Sequence, residues 1–541
     1  MIYILRDNIK KYYLKSEKRN SYVKKTKTTA LVLMLIILTS KITGFFRDIV
    51  LAQTFGAGEI TDAYLTALNI PVVLFDGISA ALGTTFIPIY FKIKSSKGQE
   101  EVNKFTSNIL NIVIIISLIF VLLGVIFAPY IVKIFAVGFK GDVFDLTVNY
   151  SKILIFSMVF IAINGLVSSY LVASGNVYIS GAITIPFNIF VIIAIIFASV
   201  TESYVMVYGT LIAYIAQLLF QLPLLIKKGY KHRLTVNLRD ENIRQILFLV
   251  IPVFIGSYIN QINAVVNRTL ASTLDSGSIT ALNYANKLNM FAVGVIAVAI
   301  STIMYPILSK LASEGNKKLF KINISKSINM IVIIMLPIMV VMTTFSTEIV
   351  KVLFEEGSFN SHDTYLTSTA LFFYSIGILA YGLKELLAKS FYSLQDTKTP
   401  VRNATISVVI NIVFSIILVN IMGIGGLALA SSISATVTTM LLLISLRKKI
   451  GKIGFSYILK TFIKGAIASI VMYIIMRIAY NYIFIYGSRF ALESRKFIAF
   501  NCFISVILGM STYLIVVLAL KVKEVKEIFD AILFKLKNYF I

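Results

Sequence analysis

From Thr28 to Leu520 the chain alternates long apolar runs with short polar interruptions. A soluble surface helix confines its apolar residues to one stripe, whereas these runs are apolar all round. About 20 such residues cross a bilayer. The pattern predicts fourteen spans, near 28–53, 63–91, 109–134, 148–173, 179–200, 204–226, 245–271, 279–308, 322–344, 364–391, 401–422, 424–446, 457–482 and 497–520. Each is long enough for about 30 Å of hydrocarbon at 1.5 Å per residue. The expected fold class is therefore an all-α polytopic membrane protein.

The polar interruptions alternate in charge. Lys92, Lys94, Lys97 and Lys104 fall on one side. Lys227, Lys228, Lys231, Arg233 and Arg239 follow on that side, then Lys310, Lys317, Lys318 and Lys321, then Lys398 and Arg402, then Arg447, Lys448, Lys449 and Lys452. The intervening stretches Gly56–Thr61 and Leu274–Ser278 hold no base. Cytoplasmic loops collect Lys and Arg, so the alternation predicts both termini inside. It also accounts for the net charge of +26, from 51 basic and 25 acidic residues, without a nucleic-acid partner. Residues 1–27 carry nine of those bases and read as an arm near anionic headgroups rather than a cleavable signal. With 58% hydrophobic and 14% charged residues, a soluble enzyme and a disordered chain are excluded. Cys502 is the one thiol, so no internal disulfide and no zinc cluster is expected. His232 and His362 lie in polar stretches, away from any mid-membrane proton relay. No cofactor is expected, and without a nucleotide-binding motif neither is direct ATP use.

Two segments recur. Thr54-Phe-Gly-Ala-Gly58-Glu-Ile60-Thr61 is similar to Thr273-Leu-Asp-Ser-Gly277-Ser-Ile279-Thr280 at an offset of 219. Thr84-x-x-x-Pro88-Ile89-x-x-Lys92 matches Thr302-x-x-x-Pro306-Ile307-x-x-Lys310 at an offset of 218. An even number of spans separates the copies, so the repeat is parallel, a plan that places a transporter's substrate between two halves. The expected organisation is a basic N-terminal arm (1–27), an N-lobe of six spans (28–226), a basic linker (227–244), a C-lobe of six spans (245–446) and two further spans with a basic tail (447–541).

Ionisable residues inside spans are costly and mark function by default. The first span holds Lys41, Arg47 and Asp48 around Gly44. Lys41 and Asp48, seven apart, share a helix face, and an Arg47–Asp48 cluster that fixes packing is the alternative to a substrate role. Lys287 and Asn286 lie at the equivalent place in the second repeat; snorkelling is the alternative for Lys287. Asp62 is expected to cap a helix start, Asp76 follows in the same span, and Glu385 and Lys389 are spaced for a local ion pair. Arg268 with Asn260, Gln261, Asn263 and Asn267 makes span seven polar enough to line a wet cavity. An excess of central cations favours an anionic ligand such as a diphosphate.

Ser40-Lys41-Ile-Thr-Gly44-Phe45-Phe46-Arg47-Asp48, Phe55-Gly56-Ala57-Gly58-x-x-x-Asp62-Ala63-Tyr64, Ile70-Pro71 and Phe86-Ile87-Pro88 together resemble the opening of the MurJ (MviN) lipid II flippases, within the multidrug/oligosaccharidyl-lipid/polysaccharide exporter superfamily. The resemblance continues through Gln261-Ile262-Asn263, Tyr284-Ala285-Asn286-Lys287-Leu288, Pro306-x-Leu308-Ser309-Lys310 and Phe391-Tyr392-Ser393-x-Gln395-Asp396-Thr397-Lys398-Thr399-Pro400. It implies two lobes around a cationic cavity, with spans thirteen and fourteen forming a groove for a lipid tail. It implies alternating-access transport, not catalysis, of undecaprenyl-diphosphate-linked disaccharide-pentapeptide across the bacterial cytoplasmic membrane. The partners would be lipid II, membrane lipids and the cell-wall synthesis machinery. Lys41, Arg47, Lys287 and Asn286 would meet substrate. Ser40, Gly44, Asp48, Asp62, Gln261 and Asn263 would shape or gate the route. Lys41 and Lys287 stand where the family has Arg, and Val72-Val73-Leu74-Phe75-Asp76 lacks an Arg common after Ile70-Pro71.

A non-transporting scaffold is disfavoured by inward-facing charge in repeat-related spans, and three other readings compete. A flippase for another undecaprenyl-linked glycan fits the same cations, whereas a drug or cation antiporter would call for central acids. A membrane-embedded glycan-processing enzyme would need a catalytic loop; residues 345–363 offer Glu348, Glu355, Glu356, His362 and Asp363, for which surface solvation is the expected use.

Overall fold

The computed structural model describes residues 32–488 and 494–526. The N-terminal basic arm and the end of the basic tail lie outside the described residues, as do the side chains of Asp76 and Asn260. Among the described residues every regular element is a helix. They are α1 (32–55), α2 (Glu59–Ile126), α3 (Ala128–Phe135), α4 (Gly141–Leu154), α5 (Ser157–Ala173), α6 (Ile179–Ala182), α7 (Thr184–Ala198), α8 (Ser203–Lys227), α9 (Glu241–Ala271), α10 (Ser278–Ser313), α11 (Lys317–Thr344), α12 (Ser346–Phe354), α13 (Ser361–Ile376), α14 (Ile378–Ser393), α15 (Lys398–Met422), α16 (Ile424–Ile450), α17 (Phe455–Ser488) and α18 (Arg495–Ala519).

Among the described residues eight stretches are long and apolar enough to cross a membrane, and three bent pairs, α4–α5, the two halves of α10 and α13–α14, do so as pairs. α2 has 68 residues, about 100 Å of helix, and breaks at Gly98, whose φ of 83° no other residue adopts cheaply; it therefore supplies two crossings. With α1 and α9, both long enough by length, the described helices accommodate the fourteen expected spans. The protein is a polytopic all-α membrane protein. Helices overrun the apolar runs where polar caps allow it. Asn316 accepts from the Leu319 N–H to start α11, and Asn360 with Asp363 forms a capping box at α13.

Packing follows membrane logic, with small and polar residues inside and large apolar ones outside. α15 buries Asn403, Ser407, Asn411 and Ser415, one per turn, and leaves Val409, Val413, Ile416 and Ile417 exposed. The buried row is satisfied by Ser445, Ser434, Ser431 and Asn267 at 3.4, 2.6, 3.2 and 3.0 Å. In water such a helix would turn the other way. Acyl chains reverse the preference, because they can cover Val and Ile but cannot satisfy Asn.

Contacts divide the chain into two compact units. The first comprises residues up to Leu51, Leu68–Ala128 and Asn149–Ser257; the second comprises Ala52–Ala67, Pro129–Val148 and Tyr258 onward. The second unit holds an apolar core around Phe320, Ile328, Leu386 and Phe391. Its spans α17 and α18 pack on α11, where the Tyr513 hydroxyl donates to the Ile333 carbonyl at 2.7 Å. The Glu385–Lys389 pair forms at 3.3 Å, as its spacing predicts.

In the turn between α14 and α15, the Asp396 carboxylate lies 2.5 Å from Lys449 of α16 and accepts from the Thr399 N–H and hydroxyl. The ammonium first, then the Thr399 N–H, hold this carboxyl at about 2, below its ordinary 3.8. A carboxyl depressed on folding stabilises above its unfolded pKa and loses that contribution as pH falls through the folded value. Asp396→Asn is therefore expected to lower the melting temperature by a few degrees at pH 7, the gap closing near pH 2. A gap independent of pH in a thermal-unfolding series would overturn this.

Candidate functional site

In the first unit the motif Ser40–Asp48 is clamped to α7. The Arg47 guanidinium donates to Asp48 Oδ1 from Nη2 at 2.9 Å and from Nε at 3.2 Å, and its Nη1 donates to Asn188 Oδ1 at 3.2 Å. Asn188 Nδ2 reaches Thr43 Oγ1 at 3.1 Å and the Ser40 carbonyl at 3.4 Å. Ser40 and Thr184 are joined through their hydroxyls. The Phe187 ring lies 5.8 Å from the guanidinium carbon. Gly44 faces the same amide: a Cβ there would lie 3.4 Å from Asn188 Nδ2, an ordinary contact distance. Asp48 is 3% exposed, so a charge there needs its cation. The cluster that fixes packing is thus present, and Arg47 is half-buried within it. Lys41 differs. It is exposed on α1 and makes no hydrogen bond or ion pair to any described residue.

Asn188 was not picked out by sequence reading. The available signal was one amide in the otherwise apolar run Thr184–Ala198, where an unsatisfied amide would be costly.

In the second unit, Asp62 does not cap its own helix. Its carboxylate reaches the N-terminus of α10, accepting from Gly277 N at 2.8 Å, Thr280 N at 2.8 Å and the Thr280 hydroxyl at 2.5 Å. Gly277 has φ of 88°, and an added Cβ would lie 2.0 Å from the Ala57 carbonyl oxygen. Arg268 donates from Nη1 to the Leu65 carbonyl at 2.7 Å, and Asn267 accepts from Ser415. These two polar groups of α9 are therefore engaged with protein. Gln261 is half-buried, and the enclosed Asn263 Oδ1 has no hydrogen-bond donor among the described residues. Lys287 lies about 14 Å into α10 and is half-buried; Asn286 beside it is exposed.

The acids of 345–363 correct the expectation of simple solvation. Asp363 is 4% exposed and accepts from Ala57 N at 3.1 Å as well as from Asn360 N. Glu356 accepts from Gln53 at 3.1 Å and pairs with Arg495, and Glu355 accepts from the Thr364 hydroxyl at 2.6 Å. Residues 52–58 return close to this stretch in space, which sequence separation hides. The Ser358 N–H donates to the Gln53 carbonyl at 2.9 Å.

The second unit also carries an apolar groove of about 390 Å³ between α11 and α17, lined by Leu336, Met339, Phe462, Ile470 and Tyr473. Arg477 also lines it and donates to the Thr344 carbonyl at 3.1 Å. An alkyl chain fits such a lining; a polar headgroup does not.

Comparison with known proteins adds to this geometry. The family model described as lipid II flippase MurJ matches residues 51–500. A relative from Buchnera aphidicola subsp. Schizaphis graminum, named as a probable lipid II flippase MurJ, is 32% identical over 78% of this chain and 83% of its own length. The lipid II flippase MurJ of Burkholderia cenocepacia is 26% identical over 76% of this chain and 82% of its own. A solved structure of lipid II flippase MurJ in an inward closed conformation superimposes with a TM-score of 0.76 and 28% identity, over 90% of this chain and 98% of that one. An inward-facing multidrug-resistance MATE transporter matches with a TM-score of 0.64 at 16% identity, over 78% and 98%, a likeness of fold alone.

Proposed function

The chain belongs to the MurJ family of lipid II flippases, and we propose that it moves lipid II between leaflets by holding the diphosphate on Lys41, Arg47 and Lys287. Hydrocarbon excludes a charged, sugar-bearing headgroup. A flippase must supply a hydrated polar route for that headgroup while the lipid tail stays in an apolar one. Lys41 is the strongest ligand candidate in the first unit, since it lies inside a span, exposed, without a protein counter-charge among the described residues. Arg47 has a double duty: it holds Asp48 and Asn188, and its charge adds to the field at the same helix. Lys287 supplies the second cation from the repeat-equivalent helix, with Asn286 beside it for sugar or phosphate oxygens. Lys at 41 and 287 keeps charge without the bidentate fork of Arg, so the grip on a diphosphate is less directional. The groove between α11 and α17 suits the alkyl tail.

Transport proceeds by alternating access, the loaded and empty states differing in which side reaches the cations. The sidedness is that of a bacterial cytoplasmic membrane with the base-rich loops inside. What carries the reading is the family match over most of the chain together with structural likeness to a flippase at 28% identity. The test is complementation of a bacterium depleted of its own lipid II flippase. Growth and normal shape on expressing this chain are expected, as is leaflet exchange of labelled lipid II in reconstituted vesicles. Exchange of another undecaprenyl-linked glycan but not of lipid II would move the substrate assignment. Hydrolysis of the labelled lipid would replace transport by catalysis.

A further inference from the structure

The connection between α8 and α9 is a non-helical strap, turned at Leu234 by a 2.9 Å bond from the Thr235 N–H to the Arg233 carbonyl, and it belongs wholly to the first unit. Its backbone is held along one edge by polar side chains of α2 spaced three and four apart. Asn111 Nδ2 donates to the Arg233 and Thr235 carbonyls, both at 2.9 Å. Asn108 makes a reciprocal pair with Asn237, accepting from its N–H at 2.8 Å and donating to its carbonyl at 2.9 Å. The Arg233 N–H donates to Ser107 Oγ at 3.1 Å, and Asn103 holds the Gly229 carbonyl at 2.8 Å. Residues 233, 235 and 237 are thus tied to the protein.

The residues next to these ties carry apolar side chains that the ties leave in the open. They are Leu234, Val236 and Leu238, which are 92, 55 and 57% exposed. Three apolar side chains in a row, held out by a rigid backbone, are an unusual feature for a loop facing water. Their level along the helices explains them. Asn111 is one helical turn, about 6 Å, from Ile115, the start of an exposed apolar band on α2 that continues through Leu118, Ile119 and Leu122. The flanking helices bring similar bands to both ends of the strap, with Ile226 70% and Phe248 78% exposed. The strap therefore runs beside the edge of the hydrocarbon. Lys227, Lys231 and Arg239 are exposed around it.

We infer that residues 230–239 form an interfacial anchor, which inserts Leu234, Val236 and Leu238 at the headgroup–acyl boundary and binds anionic phospholipid through Lys227, Lys231 and Arg239. Apolar groups on an amphipathic segment sink about 5–10 Å into that boundary, and neighbouring cations favour anionic headgroups. The occupant is lipid rather than a protein strand, because the apolar row is continuous with the lipid-facing bands of α2, α8 and α9 and because the surrounding charge is basic.

The absence of Trp from the chain makes the test direct. Leu234→Trp gives a single indole at a position too exposed to disturb packing. The full-length variant is reconstituted in vesicles of phosphatidylcholine and phosphatidylglycerol, with and without lipids brominated near the headgroup end of the acyl chain. Blue-shifted emission is expected, with loss of roughly half or more of it to the brominated lipid and little to acrylamide. The loss is expected to shrink in pure phosphatidylcholine and when Lys227, Lys231 and Arg239 are replaced by Gln. Val236→Trp serves as an independent reporter with the same expected pattern. Red emission open to acrylamide and untouched by bromine, in both variants and both lipids, would overturn the anchor. So would protection found only in native membranes and lost in vesicles, which would point to a protein partner.

Discussion

Replacing Lys41 and Lys287 together by Ala is expected to cut lipid II exchange in reconstituted vesicles by well over tenfold. A hydrogen bond to a charged phosphate oxygen is worth about 1.5–3 kcal/mol, and each 1.4 kcal/mol is tenfold in affinity. Lys41 is exposed and makes no ion pair to a described residue, so removing it costs the fold little. Replacement of both by Arg, which keeps charge and adds a bidentate fork, is expected to retain exchange. Arg47 behaves differently. Its removal takes the guanidinium from a carboxylate 3% exposed, and losing one partner of a buried pair costs about 3–5 kcal/mol. Arg47→Ala is therefore expected to lose both stability and transport, and Arg47→Lys to recover stability first. Parental exchange rates in the double Lys variant would remove these two residues from substrate binding.

The second large effect is expected at Gly277. Gly277→Ala places a Cβ 2.0 Å from the Ala57 carbonyl oxygen at a φ of 88°, so backbone strain and a backbone clash act together. The left-handed conformation alone costs roughly 1–2 kcal/mol for a residue with a Cβ. Relief of the clash would have to move Gly277 away from Asp62, breaking its 2.8 Å bond. Asp62→Ala attacks the same junction from the other side, leaving the Gly277 and Thr280 N–H groups and the Thr280 hydroxyl without their shared acceptor. A buried group so abandoned costs about 1–3 kcal/mol. Both variants are expected to unfold several degrees earlier in detergent and to exchange lipid II poorly, and the double variant to fall short of the sum because the two act on one contact. A Gly277→Ala protein with the parent's melting curve would show that residues 52–58 are free to yield.

Much of this was legible in the residues. The apolar runs anticipate a polytopic helical transporter, and the motif around Gly44 points to the family. Each of these is a local or periodic signal, and the bilayer makes such signals strong by forbidding unsatisfied backbone in hydrocarbon. The helix breaks were harder. Gly98 interrupts a helix in which Pro71 and Pro88 do not, although Pro is the stronger breaker in water.

What the chain by itself determined is that many of its segments enter the membrane and that cations lie inside them. What only the tertiary structure decided is which of those charges are already engaged. Arg47 meets Asn188, 141 residues away; Asp62 caps a helix that begins 216 residues later; Asp363 binds the N–H of Ala57. A buried polar group must find its partner wherever packing brings one within about 3 Å. Periodicity records which face a residue occupies, and carries no record of what that face meets.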